Sequence, residues 1–169
     1  MSNTVLLGIG NVLWADEGFG PAVVSRLGNA RLFPWCAERD SAGSRLRVVD
    51  GGTQGLYLLP LIQDADRLLV FDAVDFARQP GELVLLRDAQ IPAYFGQRPL
   101  SLHQTAFTDV LAAAELTGVL PQAITLIGVQ FAHIDAWGGG LSPAVAAAVD
   151  KAIELAWREL QSWKEVLYA

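Results

Sequence analysis

Short apolar runs alternate with longer amphipathic stretches along this chain, and that alternation limits the possible folds more than any other feature. The runs typical of strands are residues 4–7, 46–49, 68–71 and 124–129, and residues 82–86, after a Pro80-Gly81 turn, predict a further strand at the sheet edge. Strands that alternate with helices pack as a parallel sheet with helices against its faces. We therefore predict a single α/β domain over residues 1–169, with a twisted, mostly parallel sheet of about five strands flanked by helices on both faces.

The amphipathic stretches predict where the helices lie. Residues 55–62 predict a short helix with three buried leucines, Leu56, Leu59 and Leu61. Residues 91–100 predict a long loop, because prolines and glycine interrupt any regular pattern. Ser142 is a typical N-cap, and Pro143 at the first helical position predicts that the last helix begins there.

Composition and charge exclude several classes of function. The chain has 12 Lys and Arg against 18 Asp and Glu, a net charge of −6, which argues against a nucleic-acid partner. No basic residue precedes the first apolar run, and the longest uncharged stretch, 116–134, is interrupted by Gly118 and Pro121, so we expect no signal peptide and no membrane insertion. The single cysteine, Cys36, cannot form an internal disulfide. A soluble cytoplasmic protein is the resulting prediction.

Ionisable residues follow the predicted strands where the strands end. They are Asp16 and Glu17 after the first strand, Asp50 after the second, Asp72 and Asp75 after the third, and His103 at the start of a helix. The carboxyl ends of parallel strands meet at one edge of a sheet, where ligands bind in such folds. Carboxylates and an imidazole together suit a divalent transition metal such as nickel or zinc. The sequence therefore indicates a metal site at this edge.

Other interpretations of these residues remain open on the sequence alone. A lone histidine such as His103 is more often a core histidine hydrogen-bonded near a helix cap, and Glu17 is equally compatible with a charge that complements a helix dipole. Cys36 as a nucleophile lacks a basic neighbour other than Arg39. The Gly8-Ile9-Gly10 segment suggests dinucleotide binding, but Leu13 stands where that motif requires its third glycine.

Several segments carry a further signal through their order along the chain. They are Leu7-Gly8-Ile9-Gly10-Asn11 with Asp16-Glu17-Gly18, Asp50-Gly51-Gly52-Thr53, Asp72-Ala73-Val74-Asp75, Ser101-Leu102-His103-Gln104 and Leu126-Ile127-Gly128-Val129. Each motif alone is weak, but the ordered set over residues 5–130 resembles the maturation endopeptidases of nickel–iron ([NiFe]) hydrogenases. Phe131, Phe76-Ala77 and the glycine-rich 136–140 segment depart from the family pattern.

The resemblance implies a function and a set of site residues. Glu17, Asp72 and His103 correspond to the nickel ligands and the catalytic set, with Asp16 and Asp75 as supporting candidates. The segment Asp50-Gly51-Gly52-Thr53 corresponds to a loop that selects the precursor.

The resemblance also implies an unusual use of the metal. The substrate is the precursor of a hydrogenase large subunit, whose C-terminal extension is removed only after nickel has been loaded. The nickel arrives with that substrate, so we expect the resting enzyme to be largely metal-free. The metal then polarises the scissile carbonyl or activates water. A chaperone that senses nickel loading without cleaving would use the same ligands and is the alternative.

Overall fold

One five-stranded sheet organises the molecule. The computed structural model describes residues 2–29, 45–97 and 102–168, and its strands lie in the order β2-β1-β3-β5-β4. Their bounds are β1 (Asn3–Ile9), β2 (Arg45–Gly52), β3 (Arg67–Val74), β4 (Leu83–Arg87) and β5 (Ala123–Gln130). All neighbouring pairs are parallel except β4 with β5, which is antiparallel at the sheet edge. The predicted mostly parallel sheet is confirmed.

Helices cover both faces of the sheet, as predicted. They are α1 (Phe19–Asn29), α2 (Leu59–Gln63), α3 (Gln90–Gln97), α4 (Leu102–Leu116) and α5 (Pro143–Tyr168), with 3-10 turns at Ala15–Gly18 and Gly55–Leu58. Helices α1 and α5 bury their apolar side chains against one face of the sheet, and α2, α3 and α4 against the other. No helix in the described part of the chain is long and apolar enough to cross a membrane.

Two local predictions were wrong. The segment expected to be a long loop contains α3, in which Ile91 and Phe95 lie four residues apart and are both fully buried. Pro92 is tolerated because it lies in the first turn of that helix, where its missing N–H costs no internal hydrogen bond. Leu56 is 58% exposed, and Leu58 is buried in its place. The 3-10 turn that precedes α2 changes the angular spacing of the side chains, so a pure 3.6-residue period misplaces the buried face.

Helix α1 begins in direct contact with the backbone of the sheet. A Cβ atom at Gly20 would lie 2.3 Å from the carbonyl oxygen of Ile9 on β1 and 2.3 Å from that of Phe71 on β3. A Cβ atom at Gly8 would in turn lie 2.3 Å from the carbonyl oxygen of Gly20. Only glycine permits this approach, which sets the distance between the start of α1 and the ends of two central strands.

The carboxylate of Glu159 ties α5 to the sheet at the end where β5 begins. Arg87 on β4 donates from Nε and one terminal nitrogen to the two carboxylate oxygens of Glu159, at 2.9 and 2.8 Å. The Thr125 hydroxyl donates to the same carboxylate at 2.8 Å. The hydrogen bonds from Arg87 outweigh the effect of burial and, with that from Thr125, hold the pKa of Glu159 below its ordinary value of 4.5.

Replacing Glu159 with glutamine is expected to lower the free energy of unfolding by about 1 to 2 kcal/mol at neutral pH. Because the pKa of Glu159 is lowered in the folded state, its contribution is complete above pH 4.5 and is lost as the pH falls below that value. The difference between wild type and Glu159→Gln should therefore shrink between pH 7 and about pH 3 in urea titrations. Asp150→Asn is the matched control, because Asp150 forms an exposed pair with Arg26 at 3.5 Å. An equal difference at both pH values would contradict the prediction.

Candidate active site

Asp72 lies inside the sheet near the end of β3 and has no exposed surface. One carboxylate oxygen, Oδ1, accepts the backbone N–H of Ala73 at 2.8 Å, and the other, Oδ2, accepts the side-chain amide of Gln104 at 2.8 Å. Both of these groups are donors, as suits a carboxylate that accepts hydrogen bonds. Asp72 therefore lies at the end of the sheet where the sequence predicted a site, although within the strand and not after it.

The first turn of α4 approaches Asp72 through Gln104. This glutamine is 1% exposed, and its amide nitrogen also donates to the carbonyl oxygen of Ala73 at 2.8 Å. His103 is the preceding residue of the same helical turn. The side chain of His103 lies outside the described residues, so its role as a ligand stays a prediction. Gln104 itself was missed by sequence reasoning, although it stands next to a candidate ligand in the motif that contains His103.

Glu17 approaches this end of the sheet from the face covered by α1, opposite the face covered by α4. It lies half-buried in the 3-10 turn Ala15–Gly18, and its backbone N–H donates to the carbonyl oxygen of Trp14 at 2.9 Å. This turn leads directly into α1, where Gly20 packs on the carbonyl of Phe71, the residue before Asp72. The fold therefore brings Glu17 and Asp72 to the same end of the sheet. Among the described side chains, no three of the types His, Cys, Asp and Glu cluster as a metal site; the predicted set also requires His103.

Asp16 holds a loop in place. The residue is fully buried, and its Oδ2 accepts hydrogen bonds from the backbone N–H groups of Ala132 and His133, at 2.8 and 3.0 Å, and from the Ser142 hydroxyl at 3.0 Å. Its Oδ1 accepts the backbone N–H of Ser142 at 2.7 Å. The carboxylate thus joins both ends of the 132–142 loop to the turn that carries Glu17. Ser142, predicted as a helix N-cap, directs its hydroxyl to Asp16.

This arrangement favours a structural task for Asp16 over proton transfer. Both oxygens already accept hydrogen bonds, and a general base must reach a water or substrate proton. The backbone adds a further link, since the N–H of Asp16 donates to the carbonyl oxygen of His133 at 3.0 Å. The side chain of His133 is exposed.

An apolar surface lies beside the Glu17 turn. Trp14 and Trp137 form an isolated antiparallel bridge, and their rings meet edge-on with centroids 5.2 Å apart. The N–H of Gly138 also donates to the carbonyl oxygen of Leu13 at 2.9 Å. Val12, Leu13 and Trp137 are 61%, 49% and 67% exposed. We call these three residues the apolar rim.

Asp75 lies half-buried in the turn after β3. Its Oδ1 accepts the backbone N–H of Ala77 at 3.0 Å and the side-chain amide of Gln130 at 3.3 Å. Its own N–H donates to the Tyr94 hydroxyl at 2.7 Å. Gln130 further accepts the N–H of Phe76 at 2.8 Å, so this turn is held from β5 and α3. Asp75 remains a candidate base because it is partly accessible.

The Asp50-Gly51-Gly52-Thr53 segment lies next to the end of β1. Asp50 is exposed, and its Oδ1 accepts the N–H of Gly52 at 3.0 Å. The carbonyl oxygen of Gly52 accepts the N–H of Gly10 at 3.0 Å. The segment is thereby held at the same end of the sheet as Glu17, with Thr53 exposed. The role of this segment in substrate recognition stays a prediction.

Cys36, which the sequence left open as a nucleophile, lies outside the described residues.

Comparison with known proteins identifies the family. The hydrogenase maturation protease family model matches residues 30–159, a range that contains Asp72 and His103 but not Glu17. The hydrogenase expression/formation protein HupD of Rhodobacter capsulatus is 50% identical over 159 residues, which cover 94% of this chain and 71% of that protein. The hydrogenase 2 maturation protease of Escherichia coli K12 is 34% identical over 89% of this chain and 85% of that protein.

Solved structures agree with these matches. The hydrogenase maturating endopeptidase HybD from E. coli superimposes with a TM-score of 0.80 at 32% identity, over 96% of this chain and 93% of that one. A solution structure of an E. coli endopeptidase gives a TM-score of 0.81 at 32% identity, covering 95% of this chain and 93% of the other. This chain therefore belongs to the hydrogenase maturation protease family, whose enzymes are hydrolases that act on peptide bonds.

Proposed function

We propose that this chain removes the C-terminal extension from the precursor of a nickel–iron hydrogenase large subunit, and that it recognises nickel already bound in that precursor. The observation that carries the proposal is the contact between Asp72 and Gln104, which holds the end of β3 against the helical turn that contains His103. Glu17 enters the same end of the sheet from the start of α1. Relatives named as hydrogenase maturation proteases support the reaction class.

The donor atoms suit nickel. Glu17 and Asp72 offer carboxylate oxygens and His103 an imidazole nitrogen, a mixture that divalent nickel accepts. These residues bind the metal-loaded centre of the substrate and orient the adjacent peptide bond toward it. When bound, the nickel would act as a Lewis acid that polarises a carbonyl or lowers the pKa of a water molecule. Asp75 is the accessible candidate for moving a proton, whereas Asp16 holds the 132–142 loop.

Nickel in this proposal belongs to the substrate. Glu17, Asp72 and His103 supply only three ligands. They therefore bind a free ion weakly, and the resting enzyme carries little metal. Cleavage then depends on whether the precursor has been loaded. The Asp50–Thr53 segment and the apolar rim lie beside the candidate ligands and would contact the protein around the loaded centre. We place the reaction in the cytoplasm, without membrane insertion or a nucleic-acid partner.

The decisive experiment is a mass-resolved cleavage assay on the cognate precursor, prepared with and without nickel. Wild-type protein is expected to release a C-terminal peptide only from the nickel-loaded form. Glu17→Gln and His103→Ala are expected to cleave at least about 1000-fold more slowly, because each loses a ligand. Arg26→Gln is a matched control, since Arg26 lies in the last turn of α1, away from Glu17, and forms an exposed pair with Asp150.

The other outcomes separate the alternatives. Cleavage of the nickel-free precursor at the same rate would contradict recognition of substrate-borne nickel while leaving the protease intact. Tight binding of the loaded precursor without cleavage would instead support a chaperone that senses the metal. Full activity of Glu17→Gln would remove Glu17 from the ligand set.

A further inference from the structure

We propose that Gln104 is a positioning residue that fixes Asp72 and the helical turn of His103 relative to each other before any metal arrives. This inference rests on the proposed function, because it concerns the candidate nickel ligands. It assigns a task to a buried polar side chain that neither family membership nor the sequence motifs explain.

The hydrogen bonds of Gln104 define its orientation. Its amide nitrogen lies 2.8 Å from Oδ2 of Asp72 and 2.8 Å from the carbonyl oxygen of Ala73, so both of its hydrogens point at β3. Both partners are acceptors, so the NH₂ group of Gln104, and not its amide oxygen, faces β3. The side chain is 1% exposed, so water does not replace these contacts cheaply.

The same residue determines where α4 begins relative to the sheet. Gln104 lies in the first turn of α4, and its carbonyl oxygen accepts the Thr108 hydroxyl at 3.0 Å within the helix. Its side chain links that turn to two consecutive residues of β3. His103 is the preceding residue, so its backbone is placed by the same link. One glutamine thus joins two candidate ligands that are 31 positions apart in the sequence.

The contact also orients the Asp72 carboxylate. Gln104 holds Oδ2 and the N–H of Ala73 holds Oδ1, so rotation of the carboxylate is restricted on both sides. A carboxylate oxygen can accept more than one partner, so these two hydrogen bonds do not by themselves prevent coordination of a metal. Partners that orient metal ligands in this way commonly change metal affinity by about 10- to 100-fold when they are removed.

The test compares two buried glutamines at the same end of the sheet. Gln104→Met keeps the approximate volume of the side chain and removes the two hydrogen bonds to β3. Gln130→Met is the matched control, because Gln130 is 5% exposed and binds the N–H of Phe76, but has no hydrogen bond to Asp72. Nickel ions alone are titrated into each purified full-length protein by calorimetry, and thermal stability is measured in parallel.

We expect Gln104→Met to weaken nickel binding by about 10- to 100-fold. Gln130→Met should lower the melting temperature by a similar amount and leave nickel affinity within about twofold of wild type, because its hydrogen bonds hold a turn and not a ligand. Equal losses of affinity in both variants would reduce Gln104 to a general structural role and overturn the inference. Unchanged affinity in Gln104→Met would do the same.

Two further results keep this inference separate from the proposed function. Wild-type protein that shows not even weak binding of added nickel but still cleaves the loaded precursor would overturn only the inference, because ligands held in position before the metal arrives should give weak, measurable affinity for the free ion. Wild-type protein that binds nickel but cleaves no loaded precursor would overturn the proposed function. If Gln104→Met does not fold, Gln104→Asn replaces it, since its side chain is one methylene shorter and cannot reach both acceptors.

Discussion

Gly20→Ala is expected to lose about 3 kcal/mol or more of the free energy of unfolding, and so to fold poorly or not at all. The added Cβ atom would lie 2.3 Å from the carbonyl oxygens of both Ile9 and Phe71. These oxygens belong to central strands of the sheet, so neither can move aside as the end of a long side chain could. Urea denaturation and melting temperature give the measurement.

Gly28→Ala is the matched control for this substitution. Gly28 lies in the same helix and is exposed, and no atom of the described residues lies within 4 Å of the position that its Cβ would occupy. Alanine favours helix over glycine by up to about 1 kcal/mol, so this variant should be as stable as wild type or more so. If Gly20→Ala proved as stable as Gly28→Ala, this would contradict the prediction that α1 lies too close to the sheet for a Cβ atom at position 20.

Asp72→Asn is expected to reduce cleavage of the loaded precursor by at least about 1000-fold and to cost about 1 to 3 kcal/mol of stability. The carboxylate accepts hydrogen bonds from the Ala73 N–H and the Gln104 amide, and both of these groups are donors. An asparagine must present its own NH₂ group to one of them, which replaces a hydrogen bond by a conflict between two donors. The substitution also replaces an anionic oxygen donor with a neutral amide, which is a weaker ligand for nickel. Cleavage kinetics and urea denaturation test the two effects separately.

Asp64→Asn is the control for this second substitution. Asp64 precedes β3, at the opposite end of the strand from Asp72, and pairs with Arg47 at 3.0 Å on the surface. Exposed pairs of this kind contribute less than about 1 kcal/mol, so stability and cleavage should stay close to wild type. Cleavage by Asp72→Asn at the wild-type rate would exclude Asp72 from the reaction.

Local sequence patterns determine most of the fold. The predictions from sequence succeeded where such a pattern is clear and failed where it is not. The apolar runs predicted the five strands of the described residues, and the three central ones, β1, β3 and β5, are buried along nearly their whole length, as expected where helices cover both faces of a parallel sheet. Helix α3 was missed because Pro92 and Gly96 obscure a pattern that consists of only Ile91 and Phe95 on the buried side. The exposure of Leu56 followed from a 3-10 turn, whose spacing differs from that of an α-helix.

The site was predictable as a location and less so as a set of contacts. Strand order alone indicates that Glu17 and Asp72 reach one end of the sheet, since the carboxyl ends of parallel strands meet there. The task of Gln104 depends on a hydrogen bond across 32 positions, and that of Asp16 on one across 126 positions. Such contacts depend on how complete elements pack, and no local pattern of residues encodes them.

The carboxylate of Asp16 has a consequence for how this protein can diversify. It holds both ends of the 132–142 loop, at His133 and at Ser142, while the middle of the loop extends outward with Trp137 at the surface. Trp137 and Gly138 also contact Trp14 and Leu13, so changes in the loop that keep these contacts leave the turn of Glu17 held. The exposed positions of the loop can therefore vary, and preference for a new partner can evolve, without altering the candidate ligands.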